Sequence, residues 1–177
     1  MTHDFIYRPA TPGDALCLSV LATQVFLDTY ATSGINTDLA REASRVYSLA
    51  AFERRLRDPN VEITVAQHGE WLVGFMDLAF DTVCPVPAIN GIEVLRLYVQ
   101  APFQGCGIGR RLMAMAERKA QERVAAHVWL TAWVGNARAL KVYPALGYRD
   151  VGATQYVIER KAYENRVFAK SMAAERT

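Results

Sequence analysis

Two periodicities of apolar residues divide the chain into predicted strands and helices. Alternating or β-branched apolar runs, which are typical of strands, recur from the first residues to the tail. Turn residues such as His68-Gly69-Glu70 and Pro85-Val86-Pro87 separate them. The predicted strands are Phe5–Tyr7, Val61–Ala66, the run WLVGFMDLAF from Trp71, Glu93–Val99, His127–Trp133, Tyr148–Val151 or Gln155–Ile158, and Val167–Met172.

Helical spacing and capping residues predict the segments between the strands. Thr11-Pro12-Gly13-Asp14 begins the first helix, because a threonine N-cap, a proline at the first helical position and an acid in the first turn are each favoured there. Two shorter helices follow, with N-caps at Asn36 or Thr37 and at Ser48.

An amphipathic helix follows a glycine-rich loop after the strand Glu93–Val99. Ile108, Leu112, Met115 and Ala116 fall on one apolar stripe of this helix. We therefore expect this side of the helix to be buried.

A last short helix begins at the N-cap Asn136 and ends near Leu146, with Gly147 as the C′ residue. The order of elements is β, several helices, β-β-β, α, β, α, β. This order predicts an α/β (α+β) fold, with a mixed sheet and helices on both of its faces. A length of 177 residues with 51% hydrophobic content suits one packed domain, residues 1–177.

Composition and charge narrow the class of protein. The formal net charge is +2 and the charged residues are scattered, which does not suit a nucleic-acid binder that relies on a basic face. Cys17, Cys84 and Cys106 lie far apart without a CxxC or a histidine pair, so we expect free thiols and no metal. We find no signal peptide and no apolar stretch of about 18 residues, which predicts a cytoplasmic protein without a membrane partner.

The loop Gln104-Gly105-Cys106-Gly107-Ile108-Gly109 is the main functional motif. Glycines let a ligand approach the backbone, and the N–H groups at the start of a helix favour an anion. The third glycine comes one residue early for the dinucleotide motif GxGxxG, and no Gly-Lys-Ser/Thr follows as in a P-loop. A plain turn is the remaining alternative to a phosphate-binding loop.

This loop, behind a strand ending Leu-Tyr-Val and ahead of an amphipathic helix, resembles the acyl-CoA signature of the GNAT superfamily of N-acetyltransferases. The run from Asn136 to Tyr148 resembles the family's second signature, with an Asn, then Tyr143, then a Gly-aromatic pair. The resemblance covers about Val61 to the C-terminus by element order, and it is specific from Glu93 to Tyr148. It implies a single GNAT-like domain built on a twisted, mostly antiparallel sheet of about six to seven strands.

The resemblance also divides the domain by role. Residues 1–60 correspond to the helical region that varies with substrate in this family, and residues 61–177 to the acetyl-CoA-binding core with the C-terminal strands. The run DTYAT, the Asp58-Pro59 turn and the run EVLRLYV are similar to those of bacterial acetyltransferases of small amines, including polyamine-type ones.

Acetyl-CoA is the acetyl donor that the resemblance implies. Its pyrophosphate would lie on the loop N–H groups, with Arg110 or Arg111 adding a charge-assisted contact. The pantetheine arm would pair with the backbone at the end of the preceding strand, where one N–H polarises the thioester carbonyl. Asn136 would cap its helix, contact the CoA arm, or both. The implied acetyl-CoA-binding residues are Leu97, Tyr98, Val99, Gln104, Gly105, Cys106, Gly107, Ile108, Gly109, Arg110, Asn136 and Tyr143.

Glu93 and Tyr143 are the catalytic residues that the resemblance implies. Many GNAT enzymes have a base glutamate at the position of Glu93, and strand parity places it on the face of Leu95, an unusual place for a free carboxylate. In one alternative, Glu93 begins the strand in solvent or pairs with an arginine. In another, ordered water carries the proton of the amine away. Tyr143 matches the position whose hydroxyl protonates the leaving thiolate, or else it packs in the core. Pro144 is expected to kink or end this helix.

The acceptor is expected to be a primary amine of a small molecule, a protein or a peptide. Asp28, Asp38 and Glu42 would attract a cationic amine or be ordinary solvated acids. A non-catalytic acyl-CoA-binding sensor or partner module is the alternative function. The sheet edge near Val167–Met172 is available to pair with a second subunit, so a homodimer is a further hypothesis.

Overall fold

The computed structural model describes residues 4–172, which form strands and helices in the predicted order. Residues 1–3 and 173–177 of the predicted domain lie outside the described residues. The strands within residues 4–172 are β1 Phe5–Pro9, β2 Val61–His68, β3 Trp71–Ala79, β4 Gly91–Val99, β5 His127–Trp133, β6 Arg149–Ile158 and β7 Lys161–Ser171. The α-helices in the same range are α1 Ala15–Tyr30, α2 Thr37–Val46, α3 Leu49–Arg55, α4 Ile108–Glu122 and α5 Ala137–Ala145.

The strands of the described chain form one seven-stranded sheet in the order β1-β2-β3-β4-β5-β7-β6. The pairs β1–β2, β5–β7 and β6–β7 are antiparallel. β4 and β5 are parallel, and α4 lies between them in the chain as the crossover that a parallel pair requires. The prediction of an α/β (α+β) fold with a mixed, mostly antiparallel sheet of six to seven strands is confirmed.

Contacts within the chain divide it into two compact units. Residues 4–77 with Arg96–Leu112 form unit 1, and Leu78–Leu95 with residues 113–172 form unit 2. Unit 1 contains α1, α2, α3, β1, β2 and the glycine loop, whereas unit 2 contains β5, β6, β7 and α5. The division by role at residue 60 concerns ligands, and it stays a prediction.

The tail forms a long hairpin instead of the short runs that its pattern predicts. β6 includes all of Gln155–Ile158 and all of Tyr148–Val151 except Tyr148, and β7 begins at Lys161, well before Val167. The turn between Ile158 and Lys161 contains Glu159 with a φ of 52°. Turns of this kind usually contain asparagine or glycine, so the sequence carries no recognisable turn signal here.

β7 lies between β5 and β6 and is hydrogen-bonded on both sides. The prediction of a sheet edge near Val167–Met172 is therefore wrong, because the hairpin places β6 outside β7. Among the strands of residues 4–172, the edges of the sheet are β1 and β6. A homodimer stays a prediction without an assigned edge.

Asp14 in unit 1 fixes the start of the first helical segment. Its Oδ2 accepts hydrogen bonds from the backbone N of Thr11 at 2.7 Å and from the Thr11 hydroxyl at 2.9 Å. Arg8 donates to both carboxylate oxygens at 2.8 Å. A 3-10 turn, Pro12–Asp14, precedes α1, so the helical segment begins where predicted but with a tighter first turn. The hydrogen bond from Arg8 is the main cause that lowers the pKa of Asp14 to about 2.

We expect Asp14→Asn to lower the free energy of unfolding near neutral pH by about 1 to 2 kcal/mol. The folded-state pKa of about 2 lies below the ordinary value of 3.8, so this stability is present above about pH 4 and lost as the pH falls towards 2. This loss of free energy is smaller than the whole pKa shift of Asp14 would give. The Arg8 side chain is 34% exposed, so solvent screens the ion pair. Urea unfolding at neutral pH and near pH 2 measures it, with exposed Asp28→Asn as the control. If Asp14→Asn were as much less stable than the wild type near pH 2 as at neutral pH, the ionised Asp14 carboxylate would not be the source of the stability.

Asn36 and Ser48 are the N-caps of α2 and α3, as predicted. The Asn36 Oδ1 accepts from the Leu39 backbone N at 2.9 Å, and the Ser48 Oγ accepts from the Ala51 backbone N at 3.2 Å. Each cap satisfies one N–H at a helix start that has no acceptor within the helix.

The apolar stripe of α4 is close to the predicted one but rotated. Its buried residues are Ile108, Leu112, Met113, Ala116 and Ala120. Met115, which the spacing also predicts to be buried, is half-buried. The buried face of α4 therefore contains Met113 beside Leu112 and Ala116, and Met115 lies at its margin.

Candidate active site

The end of β4 and the glycine loop lie together in unit 1. Gln104 joins them, since its Nε2 donates to the carbonyl oxygen of Val99 at 3.0 Å. A 3-10 turn, Ala101–Phe103, occupies the chain between these two residues. Gly109 lies close to Leu97, because a Cβ at Gly109 would be 3.8 Å from the Leu97 Cδ2. The structure thus brings together the predicted residues of the strand end and of the loop.

The glycine loop leads directly into the first turn of α4. Gly105 and Gly107 have φ values of 86° and 84°, a left-handed conformation that favours glycine. Both residues are exposed, and the N–H of Arg111 donates to the Gly107 carbonyl at 3.0 Å as the first bond of the helix. The N–H groups of Ile108 and Gly109 therefore have no acceptor within the helix, which makes this end suitable for an anion.

Cys106 and Arg110 are exposed beside the helix start, and the Cys106 thiol is free. Arg111 is exposed too, but its positive charge acts on Tyr7. Burial raises the pKa of Tyr7, and the charge of Arg111 opposes that rise. Arg111 therefore lies near the side chain of Tyr7 within unit 1.

The side chain of Tyr98 belongs to the core of unit 1. Its hydroxyl lies 3.1 Å from the Tyr47 hydroxyl, and its ring packs edge-on against Phe75 with 5.5 Å between ring centroids. Burial raises the pKa of Tyr98 well above its ordinary value. Since the side chain is occupied, a ligand at this strand end would meet the Tyr98 backbone.

Gly74 in β3 allows a close approach to the same strand end. A Cβ at this position would lie 2.8 Å from the Tyr98 carbonyl oxygen and 3.4 Å from the Val99 Cα. Both neighbours are backbone atoms, so a larger residue would displace the end of β4. The sequence alone does not single out Gly74, because a glycine in a strand does not reveal which backbone approaches it.

Gly74→Ala is expected to lower the free energy of unfolding by about 1 to 3 kcal/mol, the usual cost of an overpacked position. Thermal unfolding measures this loss. Gly13→Ala is the matched control, since the nearest atom to a Cβ there is the Thr11 Oγ1 at 3.7 Å. Equal stability of the two variants would show that β3 and β4 can separate without cost at this point.

Glu93 lies in unit 2, in the part of β4 that pairs with β5. Its register partner is Trp129, and the residue is 8% exposed. The strand begins at Gly91, so the alternative in which Glu93 starts the strand in solvent is wrong. The carboxylate lies near the Cys84 thiol, whose pKa is raised mainly by burial and further by the charge of Glu93.

An apolar cluster of unit 2 includes Trp129, the register partner of Glu93. It contains Cys84, Trp129, Val167 and Ala169, with Val86, Ile89 and Val151 packed against it. Part of the cluster therefore comes from the segment between β3 and β4, which the sequence shows only as a proline-containing interruption. A carboxylate in such surroundings is poorly hydrated, which suits a group that exchanges a proton with a ligand.

Tyr143 is a buried aromatic of α5 in unit 2. Its ring packs against Phe168 and Tyr148, with 5.6 Å and 6.2 Å between ring centroids. Burial raises the pKa of Tyr143 to about 12. Its hydroxyl forms no hydrogen bond within residues 4–172. The packing alternative is therefore correct for the ring, while the hydroxyl remains available as a donor.

The ends of α5 are fixed as the sequence predicts. The Asn136 Oδ1 accepts from the Ala139 backbone N at 3.1 Å, which is an N-cap contact. Pro144 lies inside the last turn and the helix ends at Ala145. After Gly147, with a φ of 85°, the N–H of Tyr148 donates to the Tyr143 carbonyl at 3.1 Å. Pro144 thus precedes the helix end, and a Schellman-type bond holds the Tyr143 backbone.

The acidic residues of the helical region differ in their surroundings. Asp28 is exposed and Asp38 is half-buried. Glu42 is buried and forms an ion pair with Arg45 at 2.5 Å. The interpretation of Glu42 as an ordinary solvated acid is therefore wrong, because its carboxylate is buried and contacts Arg45 of the same helix.

Comparison with known proteins gives the family. The profile of the acetyltransferase (GNAT) family matches residues 29–148, which is more than half of the chain. An uncharacterised N-acetyltransferase from the pepI 3′ region of Lactobacillus delbrueckii subsp. lactis is 24% identical over 132 residues, covering 72% of this chain and 74% of the relative. The chain therefore belongs to the GNAT family of acetyltransferases. The prediction of an N-acetyltransferase is confirmed at the level of the family.

Solved structures share the fold at low sequence identity. The PaiA N-acetyltransferase of Thermoplasma acidophilum, solved in complex with coenzyme A, has a TM-score of 0.77 at 17% identity, covering 95% of this chain and 99% of its own. YncA of Salmonella typhimurium, solved with its cofactor acetyl-CoA, has a TM-score of 0.70 at 17% identity, covering 98% of this chain and 97% of its own. At these identities the comparison establishes the fold alone.

Metal ligation and membrane insertion find no support in the described part of the chain. No group of three or more His, Cys, Asp or Glu within residues 4–172 has the arrangement to hold a metal ion. None of the helices in that range is both long and apolar enough to span a membrane.

Proposed function

We propose that this chain transfers the acetyl group of acetyl-CoA to a primary amine by direct attack of the amine. The observation that carries the proposal is the glycine loop. Gly105 and Gly107 adopt left-handed conformations and expose backbone directly before the first turn of α4. Membership of the GNAT family supports the same donor.

The loop residues Gly105 to Arg110 are proposed to bind the pyrophosphate through their N–H groups. Arg110 is exposed beside them and can add a charge-assisted contact. The backbone of Leu97 to Val99 is proposed to pair with the pantetheine arm, which agrees with the burial of the Tyr98 side chain in the core. Acetyl-CoA supplies an activated thioester when bound. An N–H of this strand end would stabilise the negative charge that develops on its carbonyl oxygen.

Two side chains of unit 2 are proposed to move protons. Glu93 accepts a proton from the attacking amine, directly or through a water molecule, and its burial supports this role. Tyr143 donates its hydroxyl proton to the sulfur as the C–S bond breaks, and solvent then restores that proton. The absence of a hydrogen bond from the Tyr143 hydroxyl within residues 4–172 supports it as a donor. Asn136 is proposed to cap α5 and contact the CoA arm.

The proposed acceptor class is a primary amine, carried by a small molecule, a protein or a peptide. A neutral amine is the nucleophile, so the reaction requires the proton acceptor that Glu93 provides. Polyamine-type amines are included by the likeness of DTYAT and EVLRLYV to small-amine acetyltransferases.

Binding of acetyl-CoA and its dependence on the loop test the donor half of this proposal. Acetyl-CoA at about 100 times its Kd should raise the free energy of unfolding by about 2.7 kcal/mol, because only the native state binds it. Gly107→Ala should weaken this binding by about tenfold, since alanine disfavours the left-handed conformation by about 1 to 2 kcal/mol. Calorimetric titration measures the Kd directly.

Gly34→Ala is the matched control for this experiment. Gly34 has a φ of 103°, and a Cβ added there would have no atom within 4 Å, as at Gly107. Both substitutions therefore cost backbone strain without a clash, and only the loop variant should lose affinity for acetyl-CoA. Equal affinities in the two variants would remove the loop from the binding site.

A further inference from the structure

Asp77 in β3 is a fully buried carboxylate to which two arginines of unit 1 donate. The Arg55 Nε and the Arg96 Nη1 lie 2.5 Å and 2.6 Å from the same oxygen, Oδ2. The Asp77 Oδ1 and the Arg55 Nη2 are buried, and neither has a hydrogen-bond partner among residues 4–172. Two guanidinium groups on one carboxylate leave one positive charge that this cluster does not neutralise.

Aromatic rings hold Arg96 in a fixed position. Its guanidinium carbon lies 5.3 Å from the centroid of the Tyr47 ring and 5.8 Å from that of the Phe52 ring. The Arg96 side chain is only 12% exposed. The charge of Arg96 is therefore both preorganised and poorly hydrated, which strengthens its interaction with an anion.

A cavity of about 420 Å³ lies beside this cluster in unit 1. The lining residues are Val46, Ala51, Phe52, Arg54, Arg55, Asp58 and Arg96. Arg54 is exposed and forms no ion pair within residues 4–172. The Asp58 Oδ1 already accepts a hydrogen bond from the Asn60 backbone N at 2.9 Å. With Asp77 included, three arginines face two carboxylates, so the cavity carries an excess of positive charge.

We propose that this cavity binds a small organic carboxylate with a short apolar stem. The guanidinium group of Arg54 matches a carboxylate through paired N–H donors, and Arg55 and Arg96 add positive charge. The apolar stem would contact Val46 and Phe52. Such a ligand neutralises the unbalanced charge in a volume typical of small-molecule sites.

Arginines in the last turn of a helix also stabilise its C-terminal dipole, and Arg54 and Arg55 occupy that position in α3. This role accounts for two of the three arginines. It does not account for Arg96, which comes from β4, or for the cavity that all three line. The ion pair with Asp77 accounts for the position of Arg96, and a carboxylate site accounts for the cavity with its excess of positive charge.

Calorimetric titration of the whole chain with monocarboxylates from acetate to octanoate tests the proposal, with hexanamide as the uncharged analogue of hexanoate. We expect saturable binding that tightens with chain length and no binding of hexanamide. Arg54→Gln should weaken hexanoate binding at least tenfold without loss of folding, because Arg54 is exposed and has no ion pair within residues 4–172. Arg57→Gln is the control, since Arg57 is an exposed arginine of the same segment outside the cavity lining.

Several results would overturn the proposal. They are absence of saturable carboxylate binding, equal binding of hexanamide, and equal losses of affinity in Arg54→Gln and Arg57→Gln. Inorganic phosphate bound more tightly than any carboxylate, and lost in Arg54→Gln, would reassign the site to phosphates. The titrations are made without acetyl-CoA, so their outcome does not depend on acetyl transfer.

Discussion

Tyr143→Phe is expected to lower kcat for CoA release by about 100-fold, within the range that a general acid contributes. The substitution removes only the hydroxyl, and the ring contacts with Phe168 and Tyr148 remain possible. The KM for acetyl-CoA should stay within about twofold, because the proposed interaction is made in the transition state. Steady-state assays of free CoA thiol with saturating amine measure both constants.

The dependence of activity on pH is a second test of Tyr143 as the general acid. Burial raises the pKa of Tyr143 to about 12, so the phenol stays protonated through the ordinary assay range. We therefore expect no loss of wild-type activity from ionisation of Tyr143 below about pH 11. Tyr148→Phe is the matched control, because the Tyr148 hydroxyl donates to Glu117 at 3.2 Å and has no proposed part in the reaction. Normal turnover by Tyr143→Phe would remove Tyr143 from the mechanism.

Glu93→Gln is expected to lower kcat/KM for the amine by about 100-fold near neutral pH. The amide keeps the shape of the buried side chain but cannot accept the proton of the attacking amine. Because the amine itself becomes neutral as the pH rises, part of the lost rate should return in alkaline solution. Measurement of kcat/KM across pH in the variant and the wild type tests this.

Glu164→Gln is the control for the charge change at Glu93. Its side chain is 59% exposed on β7, so its removal should leave kcat/KM within about twofold. Wild-type turnover by Glu93→Gln would show that water alone carries the proton away. It would leave Glu93 as a residue that orients or attracts the amine.

The fold could be predicted because its local signals agree with its topology. Thr11, Asn36, Ser48 and Asn136 cap helices where the sequence places them. The alternating runs became β2, β3 and β5 with small differences at their ends. Each of these signals depends only on neighbouring residues, so sequence alone is sufficient to read it.

The tail could not be predicted because its turn lacks the usual residues. Glu159 adopts a positive φ that favours glycine or asparagine, so the hairpin between β6 and β7 is not visible in the sequence. The position of β7 between β5 and β6 depends on long-range pairing, which residue patterns do not specify.

The loop residues of the candidate site could be predicted from the sequence. The residues of the neighbouring strands that pack beside the site could not. Gln104 to Gly109 form a contiguous motif, and its glycines have the conformations that the motif requires. Gly74 and the cluster of Asp77 with Arg96 depend on residues far apart in the chain. Their importance arises from backbone approach and buried charge, neither of which has a local signature. The roles of Glu93 and Tyr143 and the cytoplasmic location stay predictions.

The central claim, acetyl transfer from acetyl-CoA to an amine by this chain, is tested most directly by release of free CoA thiol with a panel of amines. The panel includes polyamines, amino acids, aminoglycosides and peptides with free N-termini. We expect at least one amine to give saturable CoA release well above the rate without amine, and this release to fall sharply in Tyr143→Phe. Stabilisation by acetyl-CoA without CoA release by any amine would contradict the claim and would leave the chain as an acyl-CoA-binding module.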